Sequence, residues 1–252
     1  MKEKLYEIPL NDAMDADEEC PFCYLERKGE QELMDFVLGS CASYMESDTR
    51  ESTDKSGFCR MHQRQMFLYG NALGNGWILK TYHKKLIKEM KEEFNSFAPG
   101  KKSFKDRITG KKNEENTISK WIDEKEKTCY ICDRFTEVYK RYLATFFHLY
   151  KKDAAFVEKI KTSKGFCLHH FGDLMREADE LLSDGDRGEF YSLIFPIMEQ
   201  NMERVSGDID WFIEKFDYIN KDADWKQSKD AIQRGMQKIK GGYPADPPYK
   251  QK

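Results

Sequence analysis

Six of the seven cysteines fall into one pattern that occurs twice. Cys20 and Cys23 (CPFC) are followed by Cys59 and His62 (GFCRMH), and Cys129 and Cys132 (CYIC) by Cys167 and His170 (GFCLHH). The second Cys-x-x-Cys lies 109 residues after the first, and the second Cys-x-x-His 108 after its counterpart. Four ligand-type residues recurring in one order with a single residue of slippage mark an internal duplication. The Gly-Phe preceding each Cys-x-x-His, Gly57-Phe58 and Gly165-Phe166, extends the match.

The spacing suits zinc. A Cys-x-x-Cys turn delivers two thiolates to one ion, and a Cys-x-x-His pair opening a helix adds a thiolate and an imidazole about one turn apart. A helix N-terminus also favours thiolate over thiol. The expected ligands are Cys20, Cys23, Cys59 and His62 in the first repeat, and Cys129, Cys132, Cys167 and His170 in the second, for two Zn2+ per chain. Each glycine would let the chain turn sharply, and Phe58 and Phe166 would anchor that turn in the core. Four protein ligands leave no open position, so these are expected to be structural sites. Iron–sulfur ligation is disfavoured, because imidazole is the rarer cluster ligand.

Thiol redox chemistry is the competing reading of CPFC. That motif belongs after a strand in a mixed α/β setting, whereas here an acidic stretch precedes it. A redox dithiol also gives no reason for a downstream Cys-x-x-His in both copies. Among the remaining candidates, Cys41 falls on an apolar helix face and reads as a core thiol. His169 could substitute for His170, but only His170 matches the spacing of His62. His83 and His148 read as ordinary helix residues, and Asp208 and Asp210 beside Trp211 as a solvated face. No Ser/His/Asp set, P-loop or carboxylate pair can be assembled.

Apolar residues recur at helical spacing and strand alternation is nearly absent, so the expected fold is all-α, two pseudo-repeat helical units each with its own Cys3His site. Leu33, Phe36, Val37, Cys41 and Tyr44 follow the first pair, and Phe135, Val138, Tyr139, Tyr142, Phe146, Leu149 and Tyr150 the second. Ile78, Tyr82, Leu86, Met90 and Phe94 form another stripe, and Ile194 to Phe216 a longer one, which Pro196 or Gly207 would start, kink or split. The expected organisation is an acidic segment over 1–19, a first repeat over 20–96, a charged linker over 97–117, a second repeat over 118–218, a C-terminal helix within 219–242 and a disordered tail over 243–252. Asp224-Trp225-Lys226-Gln227 resembles a capping box for that last helix, and Gly241-Gly242 would end it. Within 210–218, Phe216 and Tyr218 are expected in the core, with Lys215 and Asp217 solvated.

The paired CPxC…GFCxxH units and the run Asp210-Trp211-Phe212 to Lys215-Phe216-Asp217-Tyr218 resemble an uncharacterised bacterial family of unknown function. Trp225, Ser228-Lys229-Asp230 and Arg234 fit the same pattern, and Tyr130 departs from it where the first unit has Pro21. The resemblance covers nearly the whole chain and brings no established activity. A transporter substrate-binding label carried by some members fits poorly with a chain that shows no export signal.

Charge excludes further classes. With 42 basic against 45 acidic residues there is no global pull toward nucleic acid or anionic lipid. The basic cluster Lys101, Lys102, Lys105, Arg107, Lys111 and Lys112 reads as a solvated linker rather than a phosphate-binding arm. No secretory signal or membrane-spanning stretch is evident, so the expected setting is cytoplasmic, where thiols stay reduced. The expected function is a zinc-stabilised, non-catalytic helical scaffold that binds another protein or itself; the alternative is a thiol redox or zinc-linked redox-switch protein.

Overall fold

The computed structural model describes residues 4–40, 46–98 and 116–250. Among these, eleven α-helices and one short 3-10 turn occur, and no strand. The helices are α1 (Lys4–Asp15), α2 (Pro21–Leu38), α3 (Ser47–Ser56), α4 (Arg60–Tyr69), α5 (Ala72–Ser96), α6 (Thr117–Glu126), α7 (Tyr130–Lys152), α8 (Ala154–Thr162), α9 (Leu168–Leu181), α10 (Asp184–Glu214) and α11 (Ala231–Lys240). Cys41, Tyr44 and the basic cluster from Lys101 to Lys112 lie outside the described residues.

The chain divides into two compact units that do not follow the repeats. One combines Met1–Gly29 with Thr136–Pro247, and the other combines Glu30–Phe135 with Pro248–Lys252. The division falls within α2 and α7, so each repeat contributes to both units.

The first unit is organised around aromatic side chains. α7 turns Leu143, Phe146 and Phe147 inward at i, i+3 and i+4 spacing. Phe146 packs edge-on against Phe147, Phe156 and Phe166, with ring centroids 5.3–5.9 Å apart. Phe22, one residue before Cys23, lies 5.8 Å from both Phe146 and Phe166. Burying rings of this size supplies most of the apolar driving force, roughly 1.5–3 kcal/mol per side chain. The second unit has a smaller core of Met34, Val37, Leu38, Met66, Tyr69, Ile78, Tyr130, Ile131 and Tyr249.

Both predicted helix-opening turns are present. Gly57 and Gly165 have φ of +62° and +73°, a region that disfavours side chains, and a Cβ at Gly57 would meet the Tyr82 ring. Phe166 is fully buried, whereas Phe58 is only partly buried. α10 runs without interruption past Pro196 and Gly207 and is capped by Ser183, whose hydroxyl accepts from the Asp186 N–H. The last helix starts later than the capping-box reading places it. Asp224 Oδ1 accepts from Lys226 N at 2.6 Å, but Lys226 has φ +51°, which breaks the helical path, and α11 begins only at Ala231. Gly241, with φ +80°, ends α11 as the sequence implies.

Two further expectations are overturned. The tail over 243–252 is not free through Tyr249, which is buried and hydrogen-bonds to Glu30. The aromatic run is inverted, with Phe216 74% and Tyr218 81% exposed while Lys215 is buried. The reason is electrostatic. Lys215 sits at the end of α10, and its ammonium donates to the carbonyls of Asn220, Lys221 and Ala223 while lying 5.2 Å over the Trp225 ring. A helix C-terminus with a turn of converging carbonyls is a cation site, and it holds the lysine more firmly than the neighbouring rings are held by packing. Lys215→Met is expected to lower stability by about 1–3 kcal/mol, since it removes charged hydrogen bonds to three part-buried carbonyls; an unchanged urea midpoint would show that water satisfies them equally well.

Candidate metal centres

Each Cys-x-x-Cys straddles the start of a helix. Cys20 precedes Pro21, which opens α2 with a residue preorganised for the first helical position, and Cys129 precedes Tyr130 at the start of α7. Each Cys-x-x-His does the same, with Cys59 capping α4 and Cys167 capping α9. The Cys167 sulfur accepts from the His170 N–H at 3.4 Å. All four ligand pairs thus sit where helix ends present free N–H groups and partial positive charge.

The structure exchanges the pairs between repeats. Cys20 and Cys23 meet Cys167 and His170, and Cys59 and His62 meet Cys129 and Cys132; in each group the ligand atoms all lie within 4.8 Å of one another. The within-repeat pairing expected from sequence order is therefore corrected, although all eight residues are used. Helix rigidity gives the reason: α2, about 27 Å long, carries the chain away from its own Cys-x-x-Cys before the Cys-x-x-His is reached, and motif order does not fix where that later helix start is delivered. The Cys-x-x-His of the other repeat closes the site instead.

Four edges of each cluster match those of a metal tetrahedron. Zn–S bonds of ~2.3 Å and Zn–N bonds of ~2.0–2.1 Å imply S···S edges of about 3.8 Å and S···N edges of about 3.5 Å. In the first site, Cys20, Cys23 and Cys167 Sγ lie 3.4, 3.5 and 3.2 Å from His170 Nδ1, and Cys23 and Cys167 are 3.8 Å apart. In the second, Cys59, Cys129 and Cys132 Sγ lie 3.2, 3.3 and 3.4 Å from His62 Nδ1, and Cys59 and Cys132 are 4.0 Å apart. A disulfide needs about 2.05 Å, and all six cysteines are free.

In both histidines Nδ1 faces the sulfurs and Nε2 faces a glutamate. His62 Nε2 donates to Glu30 at 3.1 Å, and His170 Nε2 lies 3.9 Å from Glu26. A carboxylate behind a ligating imidazole fixes its tautomer and raises its basicity. Glu26 and Glu30 are one turn apart on α2, a spacing visible in the sequence but carrying no signal until the histidines are placed.

The surroundings differ. The first site is wholly buried, and Lys238 of α11 ties its two ligand turns together. Its ammonium, 1% exposed, donates to the carbonyls of Glu19 and Lys164, which precede Cys20 and the Gly165 turn. Gly242 N–H donates to Cys23 Sγ at 3.4 Å. The second site joins its turns through the backbone, with Tyr130 N–H donating to Gly57 O at 2.9 Å and Thr128 Oγ1 to Ser56 O at 2.6 Å. It is more open, because Cys132 is exposed, and Tyr249 donates to the glutamate behind His62.

Electrostatics show what the clusters require. Burial opposes charge on His62, yet Cys129 and Glu30 outweigh it and raise the imidazole to about 10; Cys167 and Cys20 do the same for His170. Burial likewise opposes the Cys129 thiolate, but His62 and backbone N–H groups bring that thiol down to about 6. Contacts with Cys20 and Cys23 hold Cys167 far below the thiol range, while its contact with Cys167 drives Cys23 up. Three sulfurs and an imidazole at this separation need positive charge among them, which a divalent cation provides in place of protons.

His83 and His148 belong to neither sulfur cluster, whereas His169 groups with His170 and Asp173 within 4.8 Å beside the first site. His83 and His148 are exposed, and His169 is exposed beside Asp173 at 3.8 Å. Asp208 is not a merely solvated residue, since it binds Arg234 at 2.9 Å.

Double variants test the exchange. Cys59→Ser combined with Cys129→Ser should leave one metal per chain, whereas Cys59→Ser combined with Cys20→Ser should leave none; the reverse result would restore within-repeat pairing. Glu30→Gln should weaken metal binding at the second site alone by about 10–100-fold in a chelator competition. Equal losses at both sites would assign Glu30 a general structural role.

No curated protein and no solved structure shows a significant match to this chain. Residues 1–246 match a family of unknown function, DUF6062. With nearly its whole length covered, the chain belongs to the DUF6062 family.

Proposed function

We propose that both clusters bind zinc and that the protein is a zinc-stabilised helical interaction module without catalytic metal chemistry. The observation that carries this reading is the convergence of three sulfurs and one imidazole nitrogen within 4.8 Å of one another in each site. Such a set satisfies zinc completely and leaves no coordination position for water or substrate. No helix among the described residues is long and apolar enough to cross a membrane.

An apolar groove supports the interaction part. Phe58, Met66, Phe67, Ile78, Leu79 and Tyr82, from the turn before α4 and from α4 and α5, line a hollow of about 620 Å³, with Phe67 80% exposed. Exposed apolar surface of this kind is what a protein partner would cover. A polar cavity in the other unit contains several carboxylates but no histidine.

One observation favours a second reading, a redox switch at the second site. Cys132 is exposed and Cys59 partly so, which gives an oxidant access that the first site denies. Elemental analysis of protein purified without added metal separates the readings. Two zinc per chain with all seven thiols reactive after denaturation, six of them from the two sites, is expected of a structural module. Fewer than two zinc, with Cys129 and Cys132 recovered as a disulfide, would overturn that reading in favour of the switch.

A further inference from the structure

The unit that holds the first metal centre also contains a cavity of about 810 Å³, within the size range of small-ligand sites. Its wall carries six carboxylates against four cationic side chains. Each of those cations is already engaged. Arg204 binds Glu19 at 2.6 Å, and Arg234 binds Asp208 at 2.9 Å and Asp230 at 2.8 Å. Lys164 binds Asp17 at 2.5 Å, and Arg27 pairs with Asp246 at 3.9 Å and donates to Pro247 O. The cationic side chains of the wall are spent on the wall itself and its immediate neighbours.

Acceptors remain. Gln237, 2% exposed, presents an Oε1 with no hydrogen-bond partner, and so does Glu19, 3% exposed, whose Oε1 has only Arg234 at 3.6 Å. A buried acceptor left unpaired costs roughly 1–3 kcal/mol, so a partner bearing N–H or O–H groups is favoured there. Glu18, at the mouth, forms no ion pair among the described residues. Tyr24 and Tyr243 add aromatic surface to the same wall, which suits an organic cation better than a bare ion.

We propose that this cavity binds a small organic polycation, a primary diamine or polyamine, whose ammonium groups donate to Gln237 Oε1 and Glu19 Oε1 and pair with Glu18. This goes beyond the zinc-module reading and does not depend on it. The amine's methylene chain would lie along the tyrosines. Its charge would offset Glu18, since Glu19 already faces Arg204, Arg234 and Lys238, with an affinity that falls as salt rises.

Isothermal titration of the full-length, metal-replete protein with putrescine and spermidine tests this, with succinate and 1,4-butanediol as anionic and neutral controls of similar length. Saturable binding of an amine is expected, weakened about tenfold or more by Glu18→Gln and by Gln237→Leu, with no binding of either control. Glu18 is exposed, so its variant reports on binding even if Gln237→Leu fails to fold, which circular dichroism would reveal. Absence of saturable amine binding, equal affinity in Glu18→Gln, or binding of succinate would each overturn the proposal. Zinc content measured on the same samples distinguishes a failure of this site from a failure of the metal centres.

Discussion

The exchange of ligand pairs between repeats is the constraint on which the architecture rests. A metal tetrahedron demands four donor atoms within a few ångströms, and the chain meets that demand by bringing residues about 150 positions apart into contact in the first site and about 70 apart in the second. Each closure draws a helix start from one repeat against a helix start from the other. The compact units follow from this, since neither is continuous in sequence. Long-range closure of this kind carries a loop-entropy cost, which aromatic burial offsets and metal coordination would offset further.

The two sites have the same donors and different supports. In the first, the turns are joined by the buried ammonium of Lys238, held near Glu19 at 3.2 Å, with Phe22 and Phe166 packed around the ligands. In the second, backbone hydrogen bonds at Gly57 and Ser56 join the turns and one sulfur is exposed. Removing one partner of the Lys238–Glu19 pair would strand a buried charge, so that network couples α11 to the metal site more tightly than apolar packing alone would. The C-terminal additions to the repeat are thereby divided between the centres, α11 serving the first and Tyr249 the second.

Much of this was legible in the residues. The ligand types, the glycine turns with positive φ, the helical periodicity and the helix start at each Cys-x-x-His follow from short-range chemistry, because cap geometry and side-chain spacing are local. Reading failed where a local pattern had a distant competitor. Lys215 looked solvated until the carbonyls of Asn220, Lys221 and Ala223 converged on it. Asp224 looked like a helix cap until the left-handed Lys226 ended the path. Tyr249 looked like part of a free tail because nothing near it in sequence announces Glu30.

The sequence by itself determined that the chain is helical and that eight cysteine and histidine residues form two sets of zinc-type donors, because period, spacing and donor chemistry are properties of neighbours. Only the tertiary structure decided which pairs share a site. The order of motifs along a chain does not record where rigid helices deliver their ends, and a helix of eighteen residues separates what the sequence places side by side.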